Sequence, residues 1–223
     1  MSEVLLPFVE VCTRPNPTAC VIWMHGLGDS GHGFAPIVKE LKLPESLAVR
    51  FLFPHAPERP VTINNGMQMR AWYDIKSFDF NSRADLAGVQ ESAAAVSRLV
   101  DNQISQGIAA ERIVLGGFSQ GGVIALHLGT RIKHKLAGIM ALSTYMCEPD
   151  KLAAQASDTN KTTPIMMAHG DHDEVVPHFL GNAAYKILAD NGFNATWTTY
   201  NMQHNVCYQE IQDIASWLEK VFC

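Results

Sequence analysis

The feature that most constrains this chain is an alternation: short, almost wholly apolar runs are separated by longer stretches with helical periodicity. Ala19–Met24 (ACVIWM) and residues 49–53, 112–115, 136–142 and 164–168 are runs of this kind, and residues 194–200 (NATWTTY) are a more polar strand pattern. A strand with apolar side chains on both sides needs cover on both faces, which is the signature of a parallel sheet between helices. The intervening stretches supply that cover. Leu86, Val89, Ala93, Val96, Val100 and Ile104 recur at steps of three and four, predicting one amphipathic helix over residues 83–106. Ser82 and Asp85 form a capping signal at its start, and Gly107 suits its end. Ile211, Ile214, Leu218 and Val221 share one face of a closing helix. The expected fold is therefore α/β: a mostly parallel central sheet with helices on both faces, joined by right-handed crossovers.

No linker, repeat or low-complexity segment divides the 223 residues, so a single domain over residues 1–223 is expected. With 47% hydrophobic residues the chain can build a sizeable core. Lys and Arg number 17 against 22 Asp and Glu, and this net charge of −5 argues against a nucleic-acid partner. The five cysteines, Cys12, Cys20, Cys147, Cys207 and Cys223, are scattered and contain no CxxC pair. That pattern fits neither a disulfide framework nor a zinc site and points to a reducing cytoplasm. The start, Met1-Ser2-Glu3-Val4, does not resemble a secretory leader, and no apolar stretch is long enough for a transmembrane segment. Residues 54–81 and 148–163 are expected to be irregular, and a long loop in such a domain is more often functional than idle.

The chemistry concentrates at the predicted carboxyl ends of strands, where open parallel sheets place their sites. Gly117-Phe118-Ser119-Gln120-Gly121 follows the run 112–115 and precedes a helical stretch over 123–131. This is a G-x-S-x-G elbow in its strand–turn–helix context: the turn pushes the Ser119 hydroxyl clear of the sheet, and the small glycines let strand and helix meet. A serine nucleophile needs a base, and the base an orienting carboxylate, in the chain order Ser, Asp or Glu, His. His169-Gly170-Asp171-His172-Asp173 follows the run 164–168, and Met202-Gln203-His204 follows the last strand. Asp173 is preferred over Asp171, which would brace the turn. His204 is preferred over His178, which lies only five residues beyond Asp173 with no strand between them.

His25-Gly26-Leu27-Gly28-Asp29-Ser30-Gly31 follows Ala19–Met24, where an elbow enzyme completes its oxyanion hole. The backbone N–H groups of Leu27 and Gln120 are the expected donors. The same glycines match a dinucleotide spacing, but no acidic residue ends the following strand, since Glu45 precedes it. No cofactor is expected. A metal reading of the HGDHD cluster is weakened because its residues are adjacent instead of spaced along one face. Cys207 sits on no elbow. Trp72, Met67, Met69, Phe78 and Phe80 are candidates for an acyl groove, with core packing the competing role for each.

HGLGDSGHGF, PHAPERPVTINNGMQMRAWYDI, GFSQGG, HGDHDEVVP and MQHNVC occur in that order from Ala19 to the end. In these blocks the chain resembles the acyl-protein thioesterase, lysophospholipase and carboxylesterase family of small α/β-hydrolases. The resemblance implies Ser119, Asp173 and His204 as catalytic triad, Leu27 and Gln120 as oxyanion hole, no separate cap domain and no cofactor. It implies a serine esterase or thioesterase acting on a small-molecule or lipid ester, or on an acylated protein. Two stretches depart from the family pattern. Gln203-His204-Asn205 stands where members often have Gly-His-Ser, and residues 77–82, near where the family's acyl chain lies, are individual. A catalytically silent binding protein on the same fold, a metal hydrolase using HGDHD and a homodimer are the alternatives left open at this stage.

Overall fold

The computed structural model describes residues 4–77 and 83–223. Its elements run β1 (Phe8–Cys12), β2 (Ala19–Met24), α1 (Gly31–Phe34), α2 (Ile37–Leu41), β3 (Val49–Pro54), β4 (Glu58–Val61), β5 (Met67–Arg70), α3 (Leu86–Ser105), β6 (Ile113–Phe118), α4 (Gln120–Gly129), β7 (Gly138–Leu142), α5 (Leu152–Gln155), β8 (Ile165–Gly170), α6 (His178–Asp190), β9 (Ala195–Tyr200) and α7 (Tyr208–Phe222). Seven strands form one sheet in the order β1-β3-β2-β6-β7-β8-β9. β1 lies antiparallel to β3, and every other pairing in this sheet is parallel.

The apolar runs divide between two cores by strict alternation. In β2, Cys20, Ile22 and Met24 face one core, while Ala19, Val21 and Trp23 face the other. The same odd–even split recurs in β7, with Ile139 and Ala141 against Met140 and Leu142, and in β8, with Ile165 and Met167 against Met166 and Ala168. The first core receives Val89, Val96 and Leu99 of α3, Val123 and Ile124 of α4, and Ala184 and Leu188 of α6. The second receives Ile37, Val38 and Leu41 of α2 and Ile214, Leu218 and Phe222 of α7. This is the expected mostly parallel sheet between helices.

Several boundaries differ from the sequence reading. The strand expected over 112–115 runs from Ile113 to Phe118, because Gly116, Gly117 and Phe118 still pair with β7. The long helix starts at Leu86, with Asp85 itself as N-cap, accepting from the Gly88 N–H at 3.2 Å. Ser82, expected to open that cap, lies outside the described residues. Residues 54–81 are not wholly irregular: β4 and β5 form an antiparallel hairpin closed by Asn65 and Gly66, both at positive φ. Met67 and Met69 alternate with Gln68 and Arg70, but each strand is only four residues long and β4 has no alternation. β1, the antiparallel edge strand, adds to the expected set; in it Val9, Glu10 and Val11 alternate over a short span.

Candidate active site

β6 ends on Phe118, and the chain turns at once into α4. Ser119 sits at the corner with φ 55° and ψ −118°, a conformation that a residue with a side chain rarely adopts. Its backbone is held from both sides. The Ser119 N–H donates to Leu142 O at 2.8 Å, and Ser119 O accepts from the Thr144 hydroxyl at 2.7 Å. The elbow glycines are required by close approach. A Cβ on Gly117 would fall on the Gly121 backbone, and one on Gly121 would meet the carbonyl oxygens of Met24 and His25. α4 therefore begins directly against the end of β2. Although Ser119 stands at the N-cap position, its hydroxyl caps nothing and is free for another partner.

That partner is His204, whose Nε2 lies 2.9 Å from Ser119 Oγ. His204 Nδ1 lies 2.7 Å from Asp173 Oδ2. The other carboxylate oxygen, Oδ1, accepts from the Val175 and Val176 N–H groups at 2.9 and 2.8 Å. The buried His169 adds a further donor. Its Nε2–H must donate to Val176 O, at 2.8 Å, and is shared with Asp173 Oδ2 at 3.3 Å. Burial alone would raise the Asp173 carboxyl, but the bonds from His169, His204 and the Val176 N–H outweigh it and hold the group well below the usual carboxylate range. An ionised acid requires the proton of His204 on Nδ1, which leaves Nε2 as a bare acceptor facing the serine. The loops carrying Asp173 and His204 pack tightly, since a Cβ on Gly170 would fall on the Met202 and Gln203 carbonyls. The Phe118 ring lies against the His204 imidazole, with centroids 4.8 Å apart.

The competing candidates do not join this relay. Asp171 is exposed and lies 3.9 Å from the His178 ring. Its side chain and that of Asp173 therefore serve different neighbours, and no group of three or more His, Cys, Asp or Glu among the described residues is arranged to hold a metal ion. Cys207 stands at the N-cap of α7.

The loop after β2 lies against the elbow: a Cβ on Gly26 would meet Ser119 Cβ at 3.5 Å. Among the described residues the N–H groups of Leu27 and Gln120, the expected oxyanion donors, meet no acceptor. Behind them is a polar brace that sequence reasoning missed. The Gln120 side chain is buried, accepts from the Trp72 N–H at 2.8 Å and donates to Tyr73 O at 2.7 Å. The Trp72 indole N–H donates to His25 O at 2.8 Å. A glutamine directly after the elbow serine was the one available signal, but its partners lie 47 and 48 residues away.

The expected groove residues separate. Trp72 has no exposed surface and serves as that brace, so it does not form a groove wall. Met67 is exposed on the β4–β5 hairpin, and Met69 is half-buried beside Gly28. Phe78 and Phe80 lie outside the described residues. A cavity of about 560 Å³ opens between the start of α3, the segment after β7 and α6, with Leu86, Tyr145, Met146, Leu180 and Ile187 in its wall.

Residues 7–222 match the phospholipase/carboxylesterase family. Acyl-protein thioesterase 1 of Neurospora crassa is 45% identical, the match covering 90% of this chain and 86% of that protein. The protein of the same name from Yarrowia lipolytica is 38% identical over 96% of both chains. Among solved structures, Arabidopsis thaliana SOBER1 superposes with a TM-score of 0.87 at 32% identity, covering 92% of this chain and 99% of its own. Zea mays acyl-protein thioesterase 2 gives 0.86 at 27% identity, covering 96% and 99%. With nearly its whole length matched and its serine, acid and histidine drawn into one relay, the chain belongs to the phospholipase/carboxylesterase family.

Proposed function

We propose that this chain is a single-domain serine hydrolase that cleaves carboxylic esters and thioesters through an acyl-enzyme on Ser119. The observation that carries this reading is the unbroken relay from Ser119 Oγ through His204 to the buried Asp173 carboxylate. His204 Nε2 takes the hydroxyl proton as Ser119 Oγ attacks the carbonyl carbon. The imidazolium formed is stabilised by Asp173, and the developing oxyanion sits between the Leu27 and Gln120 N–H groups, the second at the positive end of α4. His204 then protonates the departing alcohol or thiol. In the second half, water gives its proton to His204, attacks the acyl-enzyme and releases the acid.

The names of the relatives support an acylated protein as one substrate class, beside lysophospholipids and small esters. The apolar surface of Met67 and Met69 and the cavity walled by Leu86 and Leu180 are the surfaces we assign to an acyl chain. All five cysteines are free, and no helix among the described residues is long and apolar enough to cross a membrane. Both facts suit the cytoplasmic setting that we propose.

The test is hydrolysis of p-nitrophenyl esters from acetate to palmitate, beside an S-acylated peptide and a lysophospholipid, with Ser119→Ala in parallel. We expect Ser119→Ala to fold, to release no burst of nitrophenol and to resist a fluorophosphonate probe. A mutant that still acylates would overturn the assignment, and equal inactivity of wild type and mutant on every substrate would favour a binding protein. A long-chain optimum selects lipidated substrates, whereas a short-chain optimum selects small esters.

A further inference from the structure

The oxyanion loop contains a histidine that the relay does not use. His25 is fully buried at the end of β2, and both of its ring nitrogens are committed. Its Nε2 accepts from the Ala56 N–H at 3.1 Å, so the ring proton resides on Nδ1. Nδ1 lies 2.6 Å from Gly26 O, which can only accept. Burial lowers the pKa of the ring against the pull of Gly26 O, and the neutral imidazole is the form that this pair of bonds requires.

A trans peptide points its carbonyl and its N–H in opposite directions. Anchoring Gly26 O on the His25 ring therefore turns the Leu27 N–H away from that ring. The neighbouring peptides are fixed as well. His25 O accepts from the Trp72 indole at 2.8 Å, and the Gly28 N–H donates to Arg70 O at 2.8 Å. Without the imidazole, Gly26 O would keep, among the described residues, only the long 3.4 Å turn contact from the Asp29 N–H, and the Gly26–Leu27 peptide would be free to rotate. Because Trp72 also bonds the Gln120 side chain, one residue ties the carriers of both proposed oxyanion donors together.

We propose that His25 is a positioning residue for catalysis: its Nδ1–H locks the Gly26–Leu27 peptide with the Leu27 N–H presented to the oxyanion, and Trp72 locks the peptide before it. This rests on the reading of Leu27 as an oxyanion donor to an acyl-enzyme on Ser119. The test compares His25→Leu, which removes the donor, with His25→Asn, whose side-chain amide places an N–H near the position of Nδ1. In folded His25→Leu, kcat should fall by about 10²–10³, the effect of losing one oxyanion donor. KM should stay within about threefold. Affinity for a trifluoromethyl ketone, which forms a tetrahedral hemiketal, should fall in parallel with kcat/KM. His25→Asn should recover kcat to within about tenfold of wild type. Where His25→Leu fails to fold, Trp72→Phe takes its place: it deletes the indole N–H to His25 O, and kcat should drop by about three- to tenfold at unchanged KM. The proposal is overturned if either folded variant keeps wild-type kcat and ketone affinity, or if His25→Asn is as impaired as His25→Leu. Activity in Ser119→Ala would instead overturn the underlying acyl-enzyme reading, so the two failures are distinguishable.

Discussion

At the scale of single residues, the proposed acid, Asp173, does more than carry charge. The two oxygens of Asp173 have different duties: Oδ1 accepts from the Val175 and Val176 N–H groups, and Oδ2 faces His204 Nδ1 and His169 Nε2. In Asp173→Asn the backbone donors would keep the amide oxygen at the Oδ1 position. The amide NH2 would then point at two ring nitrogens that each carry a proton. His204 could relieve this only by moving its proton to Nε2, which removes the acceptor that Ser119 needs. We expect a folded protein with kcat reduced by about 10³–10⁴, the effect of a wrong tautomer in such a relay. A steady-state assay beside a thermal melt checks this, and a variant within tenfold of wild type would show that Asp173 is not the orienting acid. The relay was legible in the sequence because each member follows a strand in the required chain order. His25, Trp72 and the Gln120 side chain were not, because they act on backbone groups that only the folded chain brings near them.

At the scale of elements, legibility followed burial. Strands covered on both faces and helices with one long apolar face announced themselves, as in Ala19–Met24 and Leu86–Ser105. Glu58–Val61 and Met67–Arg70 pair only with each other, span four residues each and are largely exposed, so the brief alternation of Met67 and Met69 is too short to mark a strand. α7 holds a feature that periodicity also passed over. Glu210, in its first turn, is fully buried, and burial pushes its carboxyl up to about 8 from an ordinary 4.5, against the Cys207 N–H and helped by Asp213. From β9, the Tyr200 hydroxyl donates to Asp213 at 2.8 Å and leaves Glu210 without that relief. The folded state thus holds a proton that the unfolded chain gives up. Its contribution to stability is complete below pH 4.5, declines as pH rises, and is lost above about pH 8. Glu210→Gln keeps the shape without the charge. It should match wild type in acid and exceed it by about 2–5 kcal/mol at alkaline pH. Denaturant melts of both proteins across pH check this, and parallel pH profiles would show that Glu210 ionises freely in the folded protein.

At the scale of the whole molecule, the site is a strained corner supported by the sheet. Ser119 keeps φ 55° and ψ −118° because β6 and β7 pair up to Phe118 and Leu142, Leu142 O and Thr144 grip its backbone, and Gly121 lets α4 seat against Met24 and His25. Such a conformation costs about 1–3 kcal/mol for a residue with a Cβ. The cost falls on the global folding equilibrium, since the corner joins the two cores. Ser119→Ala retains the Cβ and hence the strain, so its melting temperature should stay close to wild type. Ser119→Gly removes it, at an entropic cost of about 0.5–1 kcal/mol in the unfolded chain. The balance favours the glycine variant by about 1 kcal/mol, which for a domain of this size raises the melting temperature by about 2–4 °C. Calorimetry of the three proteins decides the matter. A glycine variant that is the more stable and wholly inactive would show that folding stability is given up to hold the nucleophile in place. One that melts at or below the alanine variant would mean that the neighbouring elements, and not the backbone of Ser119, determine the shape of the turn.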